Sequence, residues 1–362
     1  MENKKNIDDI QKQIKKLSEL NKKYKTDFKL SDTRLSFYCL NKGDAVFEIL
    51  NEFTFPKLNN LDLRYNQIKN IAELTKANLN QLQILNLSEN EIQNIDPLSE
   101  SDLGNLIELF LFKNKINSIE ILSKCRFNNL KILDLSNNMI NSINIETFNK
   151  IFSQENSETI FANLKILYLS RNKIVKIFPF KCPNLEELIL IGNQINDLES
   201  LSKSLFKKLK ILWLSENLIE NINFISKTEM NLLKELYLSD NKIDDINSLA
   251  NTKLYSLRTL NLNNNIIQNI DIFNECSLSK LENLHLNNNK INNIDNLLCS
   301  SIGQQLKILN LRFNQINDIK IMKQNKFDNL QILDIKNNKI DKKKNSDLIL
   351  DIKKSNKFKL LI

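Results

Sequence analysis

An asparagine that recurs at a nearly constant spacing is the feature that most constrains the fold of this chain. Each copy lies in the phrase L-x-x-L-x-[LI]-x-x-N-x-I, and the gaps between copies are 24 residues except for one of 34, one of 21 and one of 25. The asparagines are Asn66, Asn90, Asn114, Asn138, Asn172, Asn193, Asn217, Asn241, Asn265, Asn289, Asn314 and Asn338. So regular a period indicates a solenoid, with one coil for each copy.

The leucines of each copy alternate as a β-strand requires. In one copy, Leu212 and Leu214 point to one side while Ile211, Trp213 and Ser215 point to the other. One coil cannot cover its own apolar side, so it stacks on the next, and strands about 4.8 Å apart form a parallel sheet. The leucines are therefore expected inside the stack.

The asparagine follows the strand at a point where the backbone becomes buried between coils. Its carboxamide can both donate and accept hydrogen bonds, so it can satisfy the buried backbone N–H and C=O groups. We therefore expect all twelve asparagines to form a structural ladder, with no catalytic role.

The return half of the coil repeats a phenylalanine that we expect to fill the convex side of the core. These segments are too short for long helices, so they predict short helical turns or 3-10 segments. Examples are Phe127–Leu130, Phe161–Leu164, Phe206–Leu209 and Phe327–Leu330.

The consensus LxxLxLSxNxIxxI resembles the intracellular class of leucine-rich repeat proteins, typified by the leucine-rich repeat regulatory subunit of protein phosphatase 1. It is intact at Leu164–Ile177, Leu209–Ile222 and Leu233–Ile246, and the resemblance spans Leu58 to Ile340. It implies an α/β solenoid, a leucine-rich repeat horseshoe of about twelve clear repeats with a parallel concave sheet. It also implies a non-enzymatic protein that binds a partner on that sheet, which in the phosphatase regulator is the Ser/Thr phosphatase catalytic subunit.

The sequence predicts one elongated domain with modified ends. We assign residues 1–57 to an N-terminal helical cap with a degenerate first coil, 58–340 to the array, and 341–362 to a lysine-rich cap or half-coil. The 34-residue gap predicts an insertion at about 144–161. Its apolar residues fit one face of a helix, and they are Ile145, Phe148, Ile151 and Phe152.

Three further patterns describe these ends. An amphipathic helix over 6–24 is expected to bury Ile7, Ile10, Ile14, Leu17 and Leu20. A degraded copy of the repeat follows, with Gly in the asparagine position, and comprises Leu35, Tyr38, Leu40, Gly43 and Ala45. At the other end, Phe358 and Leu361 are expected in the places held by Phe327 and Leu330 one coil earlier.

The net charge of +8 raises the question of nucleic-acid binding. Residues 1–29 hold nine lysines and five acidic residues, and residues 336–362 hold nine lysines and three. The body between them has 33 basic and 35 acidic residues. The positive charge therefore belongs to the ends, where solvated lysines are the simpler explanation, and nucleic-acid binding through these ends is a minor alternative.

The N-terminal sequence has no apolar core of a secretion signal, and no run of residues approaches a membrane span. Five scattered cysteines favour a reducing compartment, so we expect a cytoplasmic protein, with a nuclear location as the alternative. Cys276 and Cys299 lie at similar places in successive coils and are expected to be small buried side chains. No cofactor and no metal site is predicted.

Function in such an array is expected on the outward side chains of the concave sheet. The column between the two strand leucines is polar at its ends and aromatic in the middle. It runs Asp62, Asn86, Phe110, Asp134, Tyr168, Ile189, Trp213, Tyr237, Asn261, His285, Asn310 and Asp334. We expect Tyr168, Ile189, Trp213 and Tyr237 to form one solvent-facing apolar stripe, which a monomer rarely exposes without a partner.

The stripe and its surroundings define a candidate partner-binding surface. Its members are Phe110, Phe112, Tyr168, Ile189, Ile191, Trp213, Tyr237 and His285. A charged rim is expected around it, formed by Lys113, Arg171, Glu187, Glu216, Glu235 and Asp240.

Three functional hypotheses remain open. The leading one is a monomeric, non-enzymatic scaffold that binds another protein. Catalysis is not expected, because the phosphate-binding and metalloprotease motifs are absent and His285 is the only histidine. A secreted or injected effector that binds a host protein would use the same array, and nucleic-acid binding is the minor third hypothesis.

Overall fold

The computed structural model describes residues 2–141, 161–323, 327–355 and 357–362. The chain divides into two compact units, Met1–Asn172 and Lys173–Ile362. The helical face predicted in the insertion lies outside the described residues.

Short strands are the regular element of both units. The first unit contains β1 Arg34–Ser36, β2 Asn60–Asp62, β3 Ile84–Asn86, β4 Glu108–Phe110, β5 Ile132–Asp134 and β6 Ile166–Tyr168. The second contains β7 Glu187–Ile189, β8 Ile211–Trp213, β9 Glu235–Tyr237, β10 Thr259–Asn261, β11 Asn283–His285, β12 Ile308–Asn310, β13 Ile332–Asp334 and β14 Lys359–Leu361.

Within each unit the strands pair in parallel and in sequence order. The central leucines stand in register, as Leu61 with Leu85 in the first unit and Leu212 with Leu236 in the second. Leu212 and Leu214 are fully buried, while Trp213 between them is half-buried. The predicted leucine-rich repeat solenoid, with its open parallel sheet, is confirmed.

The return segments are short helices and 3-10 turns, as predicted. The α-helices are α1 Glu2–Tyr24, α2 Phe47–Glu52, α3 Phe224–Lys227, α4 Asp295–Cys299, α5 Ser301–Gln305 and α6 Ser346–Ser355. The 3-10 helices are Gly43–Val46, Ala72–Thr75, Asp96–Ser99, Glu120–Lys124, Glu199–Lys203, Asn247–Asn251, Asp271–Asn274 and Lys320–Lys323. The four return-segment phenylalanines Phe127, Phe161, Phe206 and Phe327 are all buried.

The recurrent asparagines connect each coil to the one before it. The Nδ2 group of Asn217 donates to the carbonyl oxygens of Leu190, Leu214 and Ser215 at 3.0, 3.0 and 3.1 Å. Its Oδ1 accepts from the backbone N–H of Ile195, one coil earlier, at 3.0 Å. The carboxamide is therefore saturated, and it satisfies backbone groups that no water reaches.

The ladder has a visible beginning in the first unit. Asn66 donates to the carbonyl of Phe37 at 2.8 Å, but its buried Oδ1 has no hydrogen-bond partner within the described residues. The degenerate first coil therefore accepts a hydrogen bond from the side chain of Asn66 but donates only to its backbone carbonyl, through the N–H of Gly43 at 2.7 Å.

A left-handed residue precedes the ladder asparagine in coil after coil. Lys113 has φ +52°, Arg171 +52°, Glu216 +56° and Asp240 +57°. This conformation costs an ordinary residue roughly 1–2 kcal/mol and favours Gly or Asn, which occur there at Gly192, Asn264 and Asn288. The corner thus turns the backbone so that the next carboxamide points inward.

The predicted register of the first coil is wrong by three residues. Leu35, instead of Tyr38, pairs with Leu61, and the buried Phe37 follows directly after the strand. Tyr38 is 49% exposed. The degraded copy contains no ladder asparagine, so nothing in its sequence fixed the alignment.

The C-terminal alignment is wrong in the same way. Leu360 pairs with Leu333, so Leu361 stands beside Asp334 and does not take the place of Leu330. The ring of Phe358 does reach Phe327, with the ring centroids 5.4 Å apart. Because α6 ends only three residues before β14, the chain enters the strand sooner than in a normal coil.

The apolar face predicted for the N-terminal helix α1 is only partly right. Over residues 11–24, Leu17 and Tyr24 are buried and Leu20 is half-buried, but Ile14 is 54% exposed. The hydroxyl of Tyr24 donates to Glu48 at 2.5 Å. The burial of Ile7 and Ile10 lies outside what the structure describes. The domain limits 1–57, 58–340 and 341–362 remain predictions.

Replacement of one ladder asparagine should destabilise the protein strongly. Asn217→Ala leaves the buried N–H of Ile195 without a partner, at a cost of about 1–3 kcal/mol. It also removes hydrogen bonds to three carbonyls, although the carbonyl of Leu190 still accepts one from Asn193. We expect a loss of about 2–5 kcal/mol in urea unfolding. The exposed Asn292 provides the control, since Asn292→Ala should change stability by less than about 0.5 kcal/mol. Equal effects of the two substitutions would contradict the ladder's structural role.

Candidate functional site

The outward column of the sheet is the face that the core does not use. In the first unit it carries Phe110 and Tyr168, both half-buried, and in the second Trp213, Tyr237 and His285, also half-buried. Each is the last residue of its strand. Their side chains therefore reach the surface from rigid backbone.

The polar members of the column have a local structural role. A side-chain oxygen of each accepts a hydrogen bond from the backbone N–H two residues later, at 2.9–3.2 Å. This is the Asx turn typical of chain reversals. The six residues are Asp62, Asn86, Asp134, Asn261, Asn310 and Asp334. Aromatic side chains cannot make this bond, so the turn does not account for the aromatic residues in the column.

Asp62 departs from the prediction of an outward polar end. It is 3% exposed, and its two carboxylate oxygens accept from Nε and Nη2 of Arg64 at 2.9 and 2.7 Å. Burial alone would raise the pKa of Asp62, but the guanidinium of Arg64 outweighs it and the pKa is lowered. Charge pairing with a residue two positions on cannot be read from the repeat pattern.

The predicted aromatic residues of the first unit do not form a continuous row. In the sheet register Asp134 stands between Phe110 and Tyr168. Phe112 is half-buried. Burial raises the pKa of Asp134, although the hydrogen bonds from Ser136 act in the opposite direction. Of the rim residues here, Lys113 is bound to Glu89 at 2.7 Å and Arg171 is exposed.

Trp213 and Tyr237 form the central pair of the second unit. They are register neighbours on β8 and β9, and their ring centroids lie 5.1 Å apart at 61°, in an edge-to-face arrangement. Aromatic pairs of this kind contribute about 0.5–1.5 kcal/mol beyond the area they bury. Burial, with a smaller contribution from Glu235, raises the pKa of Tyr237.

The indole of Trp213 carries a cost. Its Nε1–H is buried and has no acceptor in the described part of the chain. An unsatisfied buried donor costs about 1–3 kcal/mol. A leucine or phenylalanine would fill the same column without that cost, so the stability of the array does not explain the tryptophan.

The prediction that Ile189 faces solvent is wrong. Only 8% of this residue is exposed, because its register neighbour is the much larger Trp213, whose side chain leaves the same face of the sheet. Ile191 is half-buried.

His285 stands apart from the aromatic pair, because Asn261 lies between it and Tyr237 in the sheet register. Burial lowers the pKa of His285. The apolar surface of this unit therefore centres on Trp213 and Tyr237.

Acidic residues surround this pair on both sides. Glu187 and Glu235 are half-buried at the first positions of β7 and β9. Glu216 and Asp240 are exposed at the left-handed corners just beyond β8 and β9. Asp240 accepts a hydrogen bond from Nδ2 of Asn264 at 2.6 Å.

A second aromatic cluster escaped the sequence prediction. Tyr38 and Tyr65, 49% and 38% exposed, meet edge to face with ring centroids 5.4 Å apart. Arg64 lies 5.1 Å from the Tyr38 ring centroid, and the Tyr65 hydroxyl donates to Glu89. Tyr38 and Arg64 lie two residues after the column position of their coil and Tyr65 lies three after it, so none of them belongs to the column.

Within the described residues, no cluster of three or more His, Cys, Asp or Glu side chains could hold a metal ion. The cysteines are free thiols, and burial raises the pKa of Cys125 and Cys182 to about 12 and that of Cys276 to about 11. Cys299 is exposed, contrary to prediction, because it ends α4 at the turn into α5. In the described residues no helix has the length and apolarity needed to cross a bilayer.

Comparison with protein families adds independent evidence. Four family models match: Leucine rich repeat at residues 56–116, Leucine Rich Repeat at 129–151, Leucine Rich repeats (2 copies) at 162–203, and Leucine Rich repeat at 229–246 and 304–319. The chain is built of leucine-rich repeats. No curated protein matches it in sequence.

Solved structures of leucine-rich repeat proteins share the fold. An internalin from Listeria monocytogenes is 25% identical over 91% of this chain and 86% of its own, with a TM-score of 0.71. A leucine-rich repeat protein of Leptospira interrogans is 22% identical over 92% of this chain and 96% of its own, with a TM-score of 0.63. A TDR receptor is 17% identical over 81% and 53% of the two chains, with a TM-score of 0.57.

Neighbouring residues of β8 should separate the core from the surface. Leu212→Ala removes a fully buried side chain and should cost about 2–5 kcal/mol in urea unfolding. Trp213→Ala loses a half-buried aromatic contact but also removes an unsatisfied donor, so its cost should stay below about 1.5 kcal/mol. If Trp213→Ala destabilised the protein as much as Leu212→Ala, Trp213 would belong to the core.

The single histidine predicts a pH effect. Burial lowers the folded-state pKa of His285, so the unfolded chain takes up its proton first as the pH falls below about 6.5. Stability should therefore fall between pH 7 and the lowered pKa. His285→Asn should have a flatter dependence in urea midpoints measured over this range. Parallel curves for the two proteins would contradict the assigned environment of His285.

Proposed function

We propose that this protein is a non-enzymatic scaffold that binds another protein on the concave face of its second unit. The observation that carries the proposal is the Trp213–Tyr237 pair, which is half-buried on the solvent side of the sheet. Trp and Tyr are the residues most enriched at the centres of protein interfaces. The charged rim around them suits the polar edge of such an interface.

Two further features support a binding role. The pair stands on strands whose opposite faces bury Leu212 and Leu236, so the rings are held on rigid elements. The Asx turns show that the array favours Asp or Asn in this column, yet Trp and Tyr occupy it here. The substitution is accompanied by an unsatisfied indole N–H, which a role outside folding would explain.

The intact consensus repeats support a more specific proposal. Their resemblance to the phosphatase regulator suggests a Ser/Thr phosphatase catalytic subunit as the partner. This version of the proposal also includes a cytoplasmic, monomeric protein. The concave position of Trp213 and Tyr237 agrees with the face that the resemblance implies.

A second candidate function is favoured by the likeness to an internalin of Listeria monocytogenes. Under this proposal the protein is a secreted or injected effector that uses the same surface to bind a host protein. The two candidates differ in the partner and share the binding face.

Affinity capture tests the proposal. The full chain, as wild type and as Trp213→Ala/Tyr237→Ala, is used as bait in native lysate and in lysate of host cells, with nuclease treatment. We expect a protein that the wild type captures to be lost by at least tenfold from the double variant, since central aromatic residues each contribute about 2 kcal/mol or more.

The control is Leu232→Ala/Tyr255→Ala, which removes two residues of the return segments that are 46% and 49% exposed. This variant should retain the partner. A phosphatase catalytic subunit lost only from Trp213→Ala/Tyr237→Ala would support the regulatory proposal, and a host protein lost in that way would support the effector. Capture that is unaffected by the concave substitutions, or that nuclease abolishes, would overturn concave protein binding.

A further inference from the structure

The rings of Trp213 and Tyr237 differ from several other aromatic rings of the chain in lacking a cation. Three others carry one, from the same helix, from the next coil and from the same coil respectively: Lys23 lies 4.8 Å from the Tyr24 centroid, Arg64 5.1 Å from Tyr38, and Arg312 4.6 Å from Phe313. Within the described residues no Lys or Arg occupies this position over Trp213 or Tyr237. Aromatic faces attract cations, and Trp does so most strongly.

The carboxylates beside the pair also lack cationic partners. In the described part of the chain, neither Glu216 nor Glu235 forms an ion pair, and Asp240 receives only the amide of Asn264. Four acids elsewhere in the described residues that face an adjacent coil are paired at 2.5–3.1 Å, although Glu108, at the strand position of Glu235, is not. These pairs are Glu89–Lys113, Glu91–Lys115, Glu186–Lys210, Glu282–Arg258 and Glu282–Lys307.

The left-handed corners of the two units differ in how their charged residues are paired. Glu89 and Lys113 occupy successive corners in the first unit and form a salt bridge at 2.7 Å. Glu216 and Asp240 occupy successive corners in the second, where adjacent strands lie about 4.8 Å apart. Two like charges at neighbouring positions repel each other. Two acids therefore stand side by side at these corners, in a chain whose net charge is +8.

We infer that Trp213, Tyr237, Glu216, Glu235 and Asp240 bind a basic segment of the partner, with an arginine or lysine held over the rings and against the carboxylates. This inference rests on the proposed function and specifies the chemistry of its partner. Arginine fits best, because a guanidinium can stack on an aromatic face and pair with a carboxylate at once. A nucleic acid would be repelled, because its phosphates carry the charge of the rim.

Trp213 provides the readout, since it is the only tryptophan of the chain. The probes are a short arginine-containing peptide and the same peptide with each arginine replaced by glutamine, titrated against the full chain while tryptophan fluorescence is recorded. We expect the arginine peptide to bind about tenfold more tightly, because several surface ion pairs of about 0.2–1 kcal/mol act together. Added salt should reduce the difference.

Neutralising the acids tests the assignment of the residues. The triple variant Glu216→Gln/Glu235→Gln/Asp240→Asn should bind the arginine peptide about tenfold more weakly than the wild type does, and its affinity for the glutamine peptide should be unchanged. The matched control, Glu220→Gln/Asp244→Asn/Glu275→Gln, makes the same charge change at exposed acids that flank no aromatic pair, and should bind as the wild type does. Equal affinity for both peptides, or equal weakening by both triple variants, would overturn the inference.

Lysate capture separates this inference from the proposed function. A partner lost from Trp213→Ala/Tyr237→Ala but retained by the neutralised variant would leave concave protein binding in place and overturn the basic segment. A partner lost from both variants, and retained by the control triple variant, is the expected result. Retention of every captured protein by Trp213→Ala/Tyr237→Ala would overturn the proposed function itself.

Discussion

The hydrogen bonds of one buried carboxamide in each coil hold the rest of this structure in place. Every coil exposes backbone groups where its strand ends, and stacking removes those groups from water. The ladder asparagine, such as Asn217, satisfies three carbonyls and returns an acceptor to the coil before it. Without that compensation, each stacked coil would bury unpaired polar groups at a cost comparable to the gain from its leucines. The sequence therefore repeats at the interval at which this carboxamide is needed, once in each coil.

This arrangement separates structural positions from available ones. The leucines and the asparagine of each coil are committed to the interior, and the left-handed corner is committed to turning the backbone. The outward column is less constrained, because only an Asx turn favours a particular residue there. Trp213 and Tyr237 depart from that preference, and the acids beside them depart from the charge pairing seen elsewhere in the array. Both departures fall on the same two coils.

The sequence predicted the strands, the ladder spacing and the short return helices, because each depends on residues within one period. It failed where the period is lost. Leu35 occupies the strand position predicted for Tyr38, and Leu360 lies in a strand where the alignment of Phe358 with Phe327 predicted none, since no ladder asparagine marks those coils. Ile14 of α1 is exposed, whereas Tyr24, outside the predicted apolar set, is buried and bonded to Glu48.

The candidate site was predictable in its location and only partly in its details. The column pattern identified Trp213 and Tyr237, but the burial of Ile189 depends on the size of its neighbour, and that of Asp62 on its ion pair with Arg64. The missing charge partners of Glu216 and Glu235 likewise require positions in adjacent coils to be compared. Such relations between side chains of different coils lie outside a one-dimensional repeat pattern.

Site-specific photocrosslinking tests the central claim, that the concave face of the second unit is the binding surface, most directly. A benzoylphenylalanine residue placed at Tyr237 would be irradiated in lysate, alongside the same residue placed at Leu232 in a return segment. We expect a discrete crosslinked protein from position 237 that is absent from position 232. Crosslinking only from position 232, or the same products from both, would contradict it.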